Sequence, residues 1–313
     1  LWPAPGYAEG VLVLGALAAI VHLLQSRLRG GTALLSGPAW ALTTVLFFAY
    51  WLPEAISALD AADRGRALRE AGGDLRYLPF LWIVASAVGE PGARRRTFDG
   101  LAVIVGIWTL DALVQALTGT SPLFWLIDQA KVALSGRGMC TPQQVVALDR
   151  LSGVLGPCNL KLGIVLASLS PFALDAAGRR FGRGGWLLAA TAIGLVVLLA
   201  GARATWLTYA LVLLLSGLRQ LGWRRLLGVF LMGAVLLLAA AAISPPVAER
   251  LHRSTAALTG EARGVDHALS GRARIWAAAV CMTRSHPVNG VGARGFRAAY
   301  PVCDPAHGSL AAW

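Results

Sequence analysis

Apolar residues run in long, uninterrupted blocks along this chain, near positions 8–25, 39–59, 75–89, 100–118, 160–177, 185–201, 204–218 and 225–244. An amphipathic helix would break such blocks with polar residues every three or four positions, and a half-buried strand at every second one. A block of about 20 apolar residues instead matches the hydrocarbon core of a bilayer, about 30 Å thick, at about 1.5 Å of helix per residue. Each block reads as a helix, because a lone strand leaves its backbone unsatisfied in lipid. The 75–89, 185–201 and 204–218 blocks are the short ones. Trp82, Trp186 and Trp206 accompany them as side chains suited to the membrane interface. The expected fold class is all-α: a polytopic transmembrane helix bundle over 1–244, with an extramembrane loop at 119–159. A second, larger loop domain carrying short helices is expected at 245–313.

Composition supports the membrane reading. Of 313 residues, 56% are hydrophobic and only 14% charged, against about 25% charged in ordinary soluble domains. Disorder, collagen, coiled coil and small disulfide scaffolds are excluded on that ground. The net charge is +12, from 28 Lys and Arg against 16 Asp and Glu. In a soluble protein such an excess would point to nucleic acid. Here the arginines gather instead in every second short loop: Arg27 and Arg29; Arg94, Arg95 and Arg96; Arg179, Arg180 and Arg183; Arg219, Arg224 and Arg225. That alternation is the positive-inside pattern. It assigns those loops to the cytoplasm and 60–74, 119–159 and 245–313 to the extracytoplasmic side, with membrane lipids rather than nucleic acid as the surroundings. All four cysteines, Cys140, Cys158, Cys281 and Cys303, fall on that extracytoplasmic side. Their three possible pairings, and four free thiols, stay open at this point.

No phosphate loop, zinc-protease helix, Cys pair or nucleophile elbow occurs, and the five histidines share no metal-ligand spacing. Neither a metal nor a cofactor is expected. Gly290, Gly292 and Gly295 follow no strand, so they read as a turn. The candidate chemistry rests on arginine. Arg203 lies between two apolar helices, where a guanidinium costs about 2.5–3.5 kcal/mol at a helix centre and less near an interface. Either it snorkels beside Trp206 or it is a fixed cation for an anionic substrate. Arg272 and Arg274 follow Ser270 at the start of an expected helix with Ile275, Trp276, Ala279, Val280 and Met282 on its apolar face. Cations at a helix N-terminus oppose its dipole, so the pair is either a solvated loop or a site. Arg150 and Lys161 flank the entry to the fifth span, and Asp149 is a possible partner for Arg150.

These residues resemble a known family. Gly201-Ala-Arg-Ala-Thr-Trp-Leu-Thr is similar to the Ser-Arg-x-x-Trp-Leu element of the O-antigen ligase/polymerase superfamily, with Ala202 in place of the usual Ser. Ser270-Gly-Arg-Ala-Arg-Ile-Trp and His286-Pro-Val-Asn-Gly-Val-Gly-Ala-Arg-Gly-Phe resemble its Gly-Arg-x-x-Ile-Trp and His-Pro-x-x-Gly-Val-Gly-x-x-x-Phe region. Arg150-Leu-Ser-Gly-Val-Leu-Gly-Pro-Cys-Asn resembles its looser Arg-x-x-Gly-x-x-x-Pro-x-Asn entry. The likeness covers about residues 75–305. It implies a metal-independent GT-C glycosyltransferase of the bacterial inner membrane with its active site facing the periplasm. The donor would be an undecaprenyl-pyrophosphate-linked glycan and the acceptor lipid A–core or another lipid-linked glycan. Arg203 and Arg272 would be the catalytic cations, and Arg150, Lys161 and Arg274 would bind substrate. The family's general base is a His before Asn or Gln; His307 lacks that neighbour, so the base is expected beyond Trp313. A repeat-unit polymerase shares all these elements. A transporter for an organic anion is the rival from another class, though no inverted repeat is visible.

Overall fold

The computed structural model describes residues 5–29, 33–141, 145, 150–201, 203–243, 248 and 272–304. Among the described residues all regular structure is helical: α1 (Pro5–Arg29), α2 (Gly37–Leu59), α3 (Arg64–Asp74), α4 (Tyr77–Gly89), α5 (Pro91–Thr118), α6 (Pro122–Ser135), a 3-10 turn (Gly153–Leu155), α7 (Leu162–Ala200), α8 (Arg203–Leu221), α9 (Trp223–Ile243), α10 (Arg272–Ser285) and α11 (Phe296–Cys303). Six of these, α1, α2, α5, α7, α8 and α9, are long and apolar enough to cross a membrane. The expected polytopic all-α bundle is therefore present. Large apolar side chains such as Leu188, Leu207 and Leu236 remain exposed on its helices, as lipid-facing positions require.

The 160–177 and 185–201 blocks are the two halves of α7, whose 39 residues are two helices joined across a kink at Gly182, with φ 65° and ψ −155°. The Arg179–Arg183 stretch holds the short connection between them. The 75–89 block gives α4, whose 13 residues reach only about 20 Å. It follows α3 through a tight turn in which Arg76 N donates to Gly73 O (3.3 Å) and Leu78 N to Leu75 O (3.2 Å). Residues 60–74, expected as a loop, are largely α3, which Asp63 opens by accepting from Arg66 N.

The chain divides into two compact units, residues 1–8 with 91–252 and residues 9–90 with 253–313. In the first, α5 and α8 both pack on α7. Val105, Leu155, Leu162, Leu166, Val196 and Val197 form its buried centre. One end of this unit is cationic: Arg179 bonds Asp99 at 2.6 Å and also meets Asp175, while Arg183 Nε donates to Gln220 O. The opposite end carries α6, the 3-10 turn and the Gly201 corner. In the second unit α3 and α4 run back along α2. Trp51 Nε1 donates to Ala71 O (2.8 Å) and Trp82 Nε1 to Thr44 Oγ1 (3.2 Å), so the indole N–H groups find partners inside the unit. Also in this unit, α10 and α11 bury Ala278, Met282 and Tyr300 together.

Disulfides close both loops: Cys140 with Cys158, and Cys281 with Cys303. Of the three pairings open from sequence, each loop bonds within itself.

The Gly182 bend makes a separable prediction. A Cβ at Gly182 would meet no atom within 4 Å, so its cost is purely conformational, about 1–3 kcal/mol for a conformation essentially reserved for glycine. Gly184 has equal space and an ordinary helical backbone. Thermal unfolding of the detergent-solubilised protein should show a lower midpoint for Gly182→Ala and an unchanged or raised one for Gly184→Ala.

Candidate functional site

The site is built where non-helical backbone meets helix ends in the first unit. Residues 150–161 enter α7 as an irregular segment, with Ser152, Gly153, Val154 and Leu155 all buried. Buried backbone of this kind needs hydrogen-bond partners. Here α5 supplies the partners. Gln115 Oε1 accepts from Gly153 N at 2.6 Å, and Gln115 Nε2 reaches Ser152 Oγ at 3.4 Å. One turn earlier Asp111, 5% exposed, accepts from Ser121 Oγ (2.7 Å) and Leu123 N (2.8 Å) at the start of α6. Phe124 of α6 then lies over Gly156, whose φ of 76° and lack of Cβ both admit the ring. Asp128 and Lys131 of α6 hold the backbone of Met139 and Gly138.

The second edge of the site is the turn between α7 and α8. Gly201, at φ 71°, caps α7 with its N–H on Leu198 O, and Arg203 opens α8. The backbone of Arg203 is placed; its side chain lies outside the described residues, as does Ala202. Trp206 Nε1 turns back to Val197 O (3.2 Å), so this indole binds backbone. Gly163 at the start of α7 lies against Ala200 and Thr205, and Leu151 N reaches Leu199 O at 3.5 Å. Arg150, Lys161 and the start of α8 therefore share one end of the first unit. Lys161 is exposed. The Nε of Arg150 is buried without a hydrogen-bond partner. Asp149, its alternative partner, lies outside the described residues.

The second unit holds the other two candidate cations, Arg272 and Arg274. Arg272 begins α10 and is exposed; Ser270, its expected cap, lies outside the described residues. Arg274 is engaged: its Nε donates to Asp304 Oδ1 at 2.7 Å and its Nη2 to Oδ2. Sequence reading missed this acceptor, whose only signal was a lone carboxylate after the last helix. His307 also falls outside the described residues. Gly290 and Gly292 form a turn with positive φ, and Arg294 follows at φ 54°. This turn packs on the α2–α3 corner, where Ala62 N donates to Val291 O (3.2 Å) and Arg294 pairs with Glu70. Between them is an open cavity of about 750 Å³ that Glu54, Glu70 and Asp74 help to line. Burial, and then the neighbouring Glu70, pushes the Asp74 carboxyl above its ordinary value. Among the described residues no three of His, Cys, Asp and Glu gather as metal ligands.

Residues 187–309 match the family model Wzy_C, described as O-Antigen ligase. The match makes this stretch similar to the O-antigen ligase family, and the apolar helices make the protein multi-pass in the membrane. The matched stretch includes Arg203, Arg272 and Arg274; Arg150 and Lys161 precede it. No curated protein and no solved structure matches the chain.

The Arg274–Asp304 pair is asymmetric, with side-chain exposures of 42% and 0%. The pair is charge-assisted, and such bonds contribute about 1.5–3 kcal/mol. Thermal melts should therefore show a lower midpoint for Arg274→Ala and for Asp304→Ala than for the native protein.

Proposed function

We propose that this protein transfers a glycan from undecaprenyl pyrophosphate to lipid A–core on the periplasmic face of the bacterial inner membrane. The observation that carries the reading is the shared end of the first unit. There the backbones of Arg150, whose Nε is buried and unpartnered, of Lys161 and of Arg203, the first residue of α8, share one end of the unit. A diphosphate suits such residues, since guanidinium grips phosphate oxygens with two donors and cannot lose its charge. Arg203 binds the pyrophosphate with Arg150 and Lys161 assisting, and Arg272 is the second catalytic cation that the resemblance implies. Arg274 fixes the start of α10 on Asp304.

In the reaction an acceptor hydroxyl oxygen forms the new bond to the anomeric carbon, and the bond from that carbon to the pyrophosphate oxygen breaks. The leaving undecaprenyl pyrophosphate takes the electron pair, so negative charge grows beside the arginines. Preorganised cations stabilise that charge. The acceptor proton goes to a general base, the histidine that the resemblance implies. Closure of both loops by disulfides supports a periplasmic position, because such bonds persist in oxidising compartments.

A repeat-unit polymerase uses the same donor and the same cations. Acceptor chemistry separates the two: a deletion strain should accumulate undecaprenyl-linked glycan of normal chain length and lose capped lipopolysaccharide. Loss of chain length alone would favour the polymerase.

The arginines give the direct test. Removing one donor to a developing anion costs about 10²–10³ in rate. Arg203→Ala and Arg272→Ala should each lose transfer to that extent at normal expression, and Arg203→Lys should recover only part, since an ammonium is a point charge. Arg180→Ala, at the opposite end of the first unit, should transfer normally. Wild-type transfer by both alanine variants would move the site elsewhere.

Sidedness has its own test. A membrane-impermeant maleimide should label Ser135→Cys at the end of α6 in intact cells and spare Arg180→Cys. The opposite labelling would invert the topology.

A further inference from the structure

Two polar side chains on α5 have no counterpart in the motifs of the site. Asp111 and Gln115 lie four residues apart and so on one face of the helix. Both hold the extramembrane segment rather than α5 itself. Gln115 takes the backbone N–H of Gly153 at 2.6 Å and Ser152 Oγ at 3.4 Å. Asp111 takes Ser121 Oγ and Leu123 N, fixing the first turn of α6. The α6 ring Phe124 covers Gly156, so the face of α5 grips residues 152–156 from below and, through α6, from above. Arg150 is two residues before Ser152. Leu151, between them, touches the backbone of Leu199, which leaves little slack between the grip and the guanidinium.

We propose that Gln115 is a positioning residue of the transfer site, setting the place of Arg150 by holding Ser152 and Gly153, with Asp111 fixing the α6 half of the same clamp. This rests on the reading that Arg150 assists in holding the donor diphosphate. Three features favour positioning over general stability. The bond from Gly153 N is short and joins a helix to a segment 38 residues away. Gly153 itself has φ 51°, and a Cβ there would crowd Leu162 and Ala112, so this backbone sits close against its neighbours. The cation it locates has a buried nitrogen with no hydrogen-bond partner, the condition of a donor awaiting a ligand.

The test is a double-mutant cycle on the purified full-length protein, with undecaprenyl-pyrophosphate-linked glycan as donor and lipid A–core as acceptor. Gln115→Leu removes both bonds; Gln115→Met does so with less change of shape, should the leucine variant fold poorly. Gln115→Glu keeps an acceptor for Gly153 N and lets Ser152 donate its hydroxyl. Either apolar variant should raise the donor KM roughly tenfold, the equivalent of about one lost bond of alignment, with kcat changed much less. The glutamate variant should return the KM to within about twofold of wild type. In an Arg150→Ala background the apolar variants should add less than twofold, since residues acting through one another are non-additive. A full tenfold in that background would overturn the inference alone and make Gln115 an independent structural residue. Lower yield with an unchanged donor KM would overturn it equally. Wild-type kinetics for Arg150→Ala would overturn both the inference and the role of Arg150 on which it rests.

Discussion

A buried backbone amide has no water to turn to, and that constraint shapes where this protein departs from helix. Three non-helical stretches among the described residues are matched to specific partners. Residues 152–156 are held by Gln115 and covered by Phe124. The Gly201 corner closes on Leu198 O, with Trp206 bonded to Val197 O beside it. The Gly290–Arg294 turn takes its backbone bond from Ala62. Each of these stretches also lies within a segment that carries a family element, so the places where helix must stop are the places where chemistry is arranged.

The site owes its polarity to the same rule. Cations on the spans' own faces would meet hydrocarbon, and in the first unit they stand at the ends. At one end Asp99 and Asp175 take Arg179. The other has Arg150 with a buried, unmatched nitrogen and Lys161 exposed. Arg274 belongs with the paired groups, since a wholly buried carboxylate takes its fork.

Much of the fold was legible because its signal is local. Span-length apolar runs became α1, α2, α5, α8 and α9, and the apolar spacing from Ile275 to Met282 became α10. The 160–177 and 185–201 runs became the two halves of α7, with the break at Gly182, and 75–89 became α4 over Tyr77–Gly89. The helix over Arg64–Asp74 was less legible, because its mixed charges have the composition of a loop. In the site, Arg150, Lys161 and Arg203 stood out by charge, and the structure gathers their backbones at one end. Gln115 and Asp111 stood out less, because a polar residue near the end of an apolar run reads as an interface position. Their partners lie 10 to 38 residues away, a distance over which periodicity carries no information.

Each disulfide joins cysteines that follow one another along the chain, 140 to 158 and 281 to 303. Between the two members of each pair no other cysteine lies. An oxidant meeting these residues in chain order would offer each sulfur its native partner next, and successive pairing of that kind needs no exchange of mispaired bridges.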